Sequence, residues 1–277
     1  MKPIVRSGLV TISLALGLLA LIDSAVAGKP KPPTPPPVPS VKYQIQFWHV
    51  PSPGGGGQLN GTNNLGEGVG HYSLPDGEKH AFLYNPAIDP VEAIDLQVAI
   101  GSDPVLDGWV IASATDINDY GVIVGYLEPA GSVSDPNFRR GYVLDTSAWT
   151  ISLLPDDRWA YSAPRRVNEN GDIAGVYRNP DQTWGVYFIP ATGTEVLLLG
   201  RNVQDNIFLN NPVESSPAQV AGQLSDGTPF RWTTGETPEI ISGISSPSVE
   251  GINDSGTICG STLAKRTRYP MRYKTSL

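Results

Sequence analysis

Trp109 and Trp159 each stand nine residues before an asparagine, Asn118 and Asn168, and each has an aspartate two positions earlier, Asp107 in "DGW" and Asp157 in "DRW". An indole face beside a carboxylate suits a sugar, which offers apolar C–H faces together with hydroxyl donors. The same offset also fits two indoles wedged between packed sheets, so these four residues are candidate ligand contacts with packing as their other reading. The remaining chemistry is thin. His49, His71 and His80 are the only histidines. His71 and His80 flank "YSLPDGEK" and could meet across a hairpin, but two imidazoles without a third ligand make a poor zinc site. The turns "DINDYG", "NENGD" and "INDSG" set oxygen ligands near a glycine. None follows the alternating order of a calcium loop, and turn chemistry accounts for every residue. No metal and no cofactor is expected. No nucleophile elbow, His-Glu-x-x-His helix or phosphate-binding loop occurs, and "PGGGGQ" lacks the lysine and helix that a phosphate cradle needs. Glycoside hydrolysis needs two carboxyl groups at a set distance, and no spacing here singles out a pair.

What must position these residues is a repeat. The pattern Asn-x-x-Gly-x-apolar-x-Gly occurs as "NNLGEGVG" (63–70), "NDYGVIVG" (118–125), "NENGDIAG" (168–175) and "NDSGTICG" (253–260). A further copy at 210–222, "NNPVESSPAQVAG", keeps the Asn and final Gly around an insertion. Asn63, Gly66, Asn118, Gly121, Asn168, Gly171, Asn253 and Gly256 therefore read as the turn residues of a repeated hairpin. Asn and Gly tolerate positive φ, and an Asn side chain can bond its own backbone two residues on. The second Gly falls inside a strand, where a missing Cβ admits a neighbouring backbone. Each copy is followed by an apolar strand: "AFLY", "GYVL", "GVYF", "PFRW" and "PMRY". After four of the five comes another β-prone stretch, "VEAIDL", "TISLL", "TEVLLL" or "PEII". The final glycines stand at 70, 125, 175, 222 and 260. Units of that length, each with several short strands, are the size of propeller blades.

The expected fold is all-β: a β-propeller of five four-stranded blades over residues 41–277. An open β-solenoid or a pair of sandwiches is the alternative. The fifth unit lacks an outer strand, and "VKYQIQFWHV" (41–50) alternates with period two. Strand 43–50 is thus expected to pair near Met271–Tyr273 and close the ring, removing two sheet edges. Trp109 and Trp159 then fall on one face, with the loops 128–139 and 178–183.

"INDYGVIVG", "VNENGDIAG" and "INDSGTICG", with "HAF" at 80–82, resemble the extracellular HAF-repeat family of bacterial exported proteins. The resemblance spans about residues 43 to 277. It implies an exported β-repeat protein and brings no catalytic residues with it.

The ends of the chain agree. Lys2 and Arg6 precede the apolar run "GLVTISLALGLLALI", and "AVA" at 25–27 is a small-x-small cleavage pattern, so residues 1–27 read as a signal peptide. That run is shorter than the roughly 20 residues that span a bilayer, so no stable span is expected after cleavage. Pro-rich "GKPKPPTPPPVPS" (28–40) reads as a semi-rigid spacer. Secretion or periplasmic residence follows. The lone Cys259 cannot form an internal disulfide, and its place in "GTICG" suggests a small buried hydrophobe. Lys and Arg number 19 against 27 Asp and Glu, a formal charge of −8, which argues against nucleic acid. The expected function is a monomeric, non-enzymatic binding or scaffold module recognising an extracellular glycan or surface protein. A glycan-active hydrolase or lyase on the same frame is the alternative.

Overall fold

The computed structural model describes residues 49–50, 56–131, 138–155, 161–194, 196–199, 203–212, 216–244, 247–264 and 267–273. Residues 1–27, residues 28–40 and most of strand 43–50 lie outside them. Five antiparallel sheets follow one another along the chain, and in each the consecutive strands pair in order. The first holds β1 (Gly57–Thr62), β2 (Gly68–Ser73), β3 (Lys79–Tyr84) and β4 (Ile94–Asp95), followed by a short helix α1 (Leu96–Ile100). The second holds β5 (Trp109–Ile117), β6 (Val122–Pro129), β7 (Arg140–Asp145) and β8 (Thr150–Leu153). β9 (Tyr161–Val167), β10 (Ile173–Arg178), β11 (Trp184–Ile189) and β12 (Val196–Leu199) form the third. The fourth holds β13 (Val203–Leu209), β14 (Gln219–Leu224), β15 (Pro229–Thr233) and β16 (Glu239–Ile240). β17 (Ser248–Ile252), β18 (Ile258–Ala264) and β19 (Thr267–Tyr273) form the fifth. Among the described residues no helix is long and apolar enough to cross a membrane.

The sheets are the blades of a β-propeller. The first strand of each contacts the first strand of the next: β1 with β5, β5 with β9, β9 with β13 and β13 with β17. Alternation along each strand sends one set of side chains toward the preceding blade and the other toward the following one, so the core lies between blades. Val69 and Ile123 meet between the first two blades, Val124 and Ile173 between the next two. Ala174 and Val220 share the cluster joining the third and fourth, and Ala221 and Ile258 the cluster joining the fourth and fifth.

The repeated turns take the expected form. Gly66, Gly121, Gly171 and Gly256 have φ of 80°, 76°, 83° and 72°. Inside β6, a Cβ on Gly125 would collide with the Ser113 carbonyl, so the second glycine of the repeat marks a close backbone approach. The asparagine does two jobs at once. Asn118 Oδ1 accepts the N–H groups of Tyr120 (3.1 Å) and Val122 (2.9 Å), which fixes its own turn. Its Nδ2 donates to the Asn168 carbonyl of the next blade at 3.0 Å. The same outward bond runs from Asn63 to Asn118 O (3.0 Å), Asn168 to Asn210 O (3.3 Å) and Asn210 to Asp254 O (3.4 Å). A second ladder lies beside it: backbone N–H groups of Asn64, Asp119, Glu169 and Asn211 donate to the side chains of Asp119, Glu169, Asn211 and Asp254. The repeat therefore staples five blades together as well as turning each one.

One expectation is not shown and two require correction. First, residues 43–48 lie outside the described residues, so closure of the ring against Met271–Tyr273 is not shown. His49 forms a parallel bridge with Glu92, donating to Val91 O (2.7 Å) and accepting from Ala93 N (2.8 Å), and Val50 packs with Tyr72, Phe82 and Tyr84 of the first blade. Second, Cys259 is exposed, not buried. Val69, Val124, Ala174 and Ala221 occupy its position in the other blades at 0 % exposure, each covered by the following blade; the fifth blade presents that face outward. Third, the β-prone "VEAIDL" forms only the two-residue β4. Asp95 then caps α1, accepting Gln97 N at 2.7 Å and Val98 N at 3.1 Å, and diverts the chain into a helix.

Candidate functional site

The first strands of four blades carry a bulge at the same place, three residues before the motif asparagine: Asn60, Thr115, Arg165 and Glu250. In the fourth blade the irregularity falls between Val203 and Ile207. A bulge breaks the in-out alternation, so two successive residues can reach the same side. The pairs Thr115/Asp116 and Arg165/Arg166 accordingly both reach the axis. Gly61 leaves room for this, because a Cβ there would lie 2.7 Å from Asp116 Oδ1.

On the side away from the motif turns, the axis opens into a cavity of about 320 Å³ walled by the first four blades. Its centre is an arginine–tyrosine cluster. Arg139 sits 4.0 Å over the Tyr126 ring, donates Nε to Glu128 at 2.9 Å and Nη1 to Tyr161 Oη at 2.7 Å. Arg165 grips Asp205 with two donors, Nε at 2.8 Å and Nη2 on the other oxygen. Arg166 donates to the Arg165 carbonyl at 2.8 Å. Opposite, Asn60 donates to Ser113 Oγ (3.1 Å) and to Ala114 O (2.7 Å), and its Nδ2 lies 3.4 Å from His71 Nδ1. Burial, with the charges of Lys79 and Arg139, holds the His71 imidazole below its usual pKa, so it stands neutral at neutral pH. Among the described residues only Tyr126 and Ile207 are apolar in this wall.

At the other end, all five blades share a second concavity lined by Asn63, Asp116, Glu169, Asn211 and Asp254, among others. Asp116 is its one strongly perturbed group. Desolvation raises the carboxyl to about 6, against the pull of Arg166 and of the Val167 N–H bond. Glu169 and Asp254 are already engaged as acceptors in the second ladder. The oxygen atoms of the motif turns are spent in the same way, on backbone N–H groups.

Of the sequence candidates, Asp107 and Trp109 fall near the cavity's side of the molecule and are not among the described residues of its wall. Trp109 begins β5 half-buried, packed on the cluster of Leu106 and Ile111, with the Arg140 guanidinium 4.3 Å over its ring. Asp107 is exposed at the end of a short 3-10 turn. Asp157 and Trp159 lie outside the described residues. His71 and His80 do not meet across their hairpin. Their β-partners are Ala81 and Tyr72, which puts them on opposite faces of the sheet. His80 instead bonds Asp95 (2.8 Å) and Glu78 (3.2 Å). Sequence reading missed Arg139, Arg165 and Arg166 altogether. The signal was there: the residues just before each motif asparagine differ sharply between copies while the motif itself stays constant.

No protein-family model matches the chain, and no curated protein matches it. Several solved β-propellers are similar to it. AofleA from Arthrobotrys oligospora shares 13% identity at a TM-score of 0.43, over 75% of this chain and 65% of that one. The fucose-specific lectin from Aleuria aurantia shares 12% at 0.42, over 78% and 75%. The β-propeller domain of the Trilobed protease from Pyrococcus furiosus shares 10% at 0.45, over 76% and 64%. At these identities and scores the likeness does not extend to any ligand.

Proposed function

We propose that this chain is an exported, non-enzymatic binding module whose ligand, an extracellular glycan or surface protein, enters the arginine-lined axial cavity. The carrying observation is the cavity itself, walled by polar side chains from four blades. Its size sits at the lower end of the roughly 300–1,000 Å³ typical of ligand sites. Residues 1–27 would be removed as a signal peptide and 28–40 would hold the propeller off its attachment surface, as the HAF-repeat resemblance also implies. Asp107 and Trp109 enter this reading as rim contacts, and the equal nine-residue offset extends the same proposed role to Asp157 and Trp159.

One observation favours the enzyme alternative: Asp116, at about 6, has the pKa of a usable acid. Against it, Glu169 and Asp254 beside Asp116 are bound into the ladder. A glycan array with a reducing-end assay on every hit separates the two. Binding without turnover, weakened at least tenfold by Tyr126→Ala, is the expected result. Turnover abolished by Asp116→Asn would overturn the binding reading, and binding unaffected by any cavity variant would remove the cavity from it.

A further inference from the structure

The cavity carries a charge that the rest of the chain does not. Across 277 residues the formal charge is −8. In this cavity three guanidiniums, Arg139, Arg165 and Arg166, stand with two carboxylates, Glu128 and Asp205, each already held by its own arginine, while Asp116, whose charge acts on Arg166, lines the concavity at the other end and accepts from Val167 N. Among the described residues no ion pair involves Arg166. Its one bond in the cavity is to a backbone carbonyl. Arg166 is therefore the one of these three guanidiniums without a salt bridge, on a side chain that the β9 bulge places against the axis. The neighbouring His71 adds no charge of its own and offers a neutral ring beside Asn60 and Ser113.

We propose, resting on the binding reading above, that the recognised unit is a sugar bearing a single carboxylate. Arg166 takes the carboxylate, and His71, Asn60 and Ser113 take ring hydroxyls. A planar guanidinium matches a carboxylate through two parallel N–H bonds. One guanidinium without a salt bridge suits a monoanion, whereas a dianionic phosphate would need a second uncommitted cation. A wall whose described residues are polar except for Tyr126 and Ile207 suits hydroxyls better than the aliphatic stems of an acidic peptide.

The test is calorimetric titration of the full chain, purified after export. The probes are oligomers of galacturonate, glucuronate and mannuronate, each beside its methyl ester, with inorganic phosphate and a tetraglutamate peptide as further arms. At least one acid is expected to bind roughly tenfold or more tighter than its ester, since a charge-assisted bond replaces a neutral one. Arg166→Gln should erase that difference with the unfolding midpoint unchanged, and Arg166→Lys should keep part of it. Equal binding of acid and ester, or binding confined to neutral glycans, overturns this inference while the binding-module reading stands. Tighter binding of phosphate or peptide than of every uronate overturns the sugar carboxylate. No binding by any probe or array glycan removes both readings.

Discussion

Asn118→Ala should be among the most damaging polar truncations in this chain. The side chain is 1% exposed and makes three hydrogen bonds, one to Asn168 O and two from Tyr120 and Val122 N–H. Tyr120 itself is exposed, so its N–H regains water. The Val122 N–H is left as an orphan, at roughly 1–3 kcal/mol, and the Asn168 carbonyl, which keeps the Gly171 N–H, loses one of its two bonds, at roughly 0.5–1.5 kcal/mol, giving a loss of about 2–4 kcal/mol. Asn118→Asp separates the two roles. It keeps both acceptor contacts in the turn, removes the donor to the next blade and faces a carboxylate toward a carbonyl, for a loss of about 1–3 kcal/mol. Asn253→Ala is the control: the residue is exposed and, among the described residues, its amide only accepts from its own turn, with no onward bond, so the loss should be smaller than that of Asn118→Ala by about 1 kcal/mol. Denaturant midpoints at constant slope measure all three. If Asn118→Asp matches the unaltered protein, the inter-blade ladder contributes nothing. If Asn118→Ala costs no more than Asn253→Ala, burial of the staple is irrelevant and the reasoning is wrong.

Gly121→Val and Gly171→Val should both destabilise by more than about 1 kcal/mol, because a β-branched residue resists positive φ. Gly121→Val should be the worse, since its Cβ would strike Thr146 Oγ1 while that of Gly171 meets only Ala191 Cβ at 3.4 Å; thermal melts giving the reverse order would refute this. Asp116 has a folded pKa of about 6, above its ordinary 3.8. The folded state thus holds the proton more tightly, and the favourable contribution, present below the unfolded value, is lost as pH rises through 6. Stability relative to Asp116→Asn should fall by up to about 3 kcal/mol between roughly pH 4 and pH 7; a flat difference across that range would place the carboxyl in water. His80 is shifted upward by its bond to Asp95, so its contribution is full below its ordinary value of 6.5 and is lost at higher pH; His80→Gln should remove that slope.

The hairpins were legible because their chemistry is local. Asn118 and Gly121 lie within a few residues of the groups they satisfy, and a positive φ selects its residue from any neighbourhood. The onward bond from Asn118 to Asn168 was not legible, since it joins residues 50 positions apart and needs the blade angle to be known. Cys259 shows the reverse error: its local setting matches that of Val124, yet burial there depends on a following blade. The bridge from His49 to Glu92 was not legible for a related reason. Period-two alternation marks a strand, but it carries no information about which exposed edge the strand meets.

The site was hidden by a different feature. A bulge leaves no residue signature of its own, so nothing in "SAPRRV" says that Arg165 and Arg166 both turn inward. Alternation taken alone would send one of them into the packing between blades, where an unpaired guanidinium is costly. That cost is itself the clue. Side by side, Asn60–Gly61, Thr115–Asp116, Arg165–Arg166 and Glu250–Gly251 are the places where polar or charged residues precede an otherwise apolar, repeating frame. A frame that must stack five times holds its stacking residues constant, and it can vary freely only where a side chain faces neither neighbour. In a propeller that place is the axis, so variation at those two positions is where one blade can differ chemically from the next without loss of the fold.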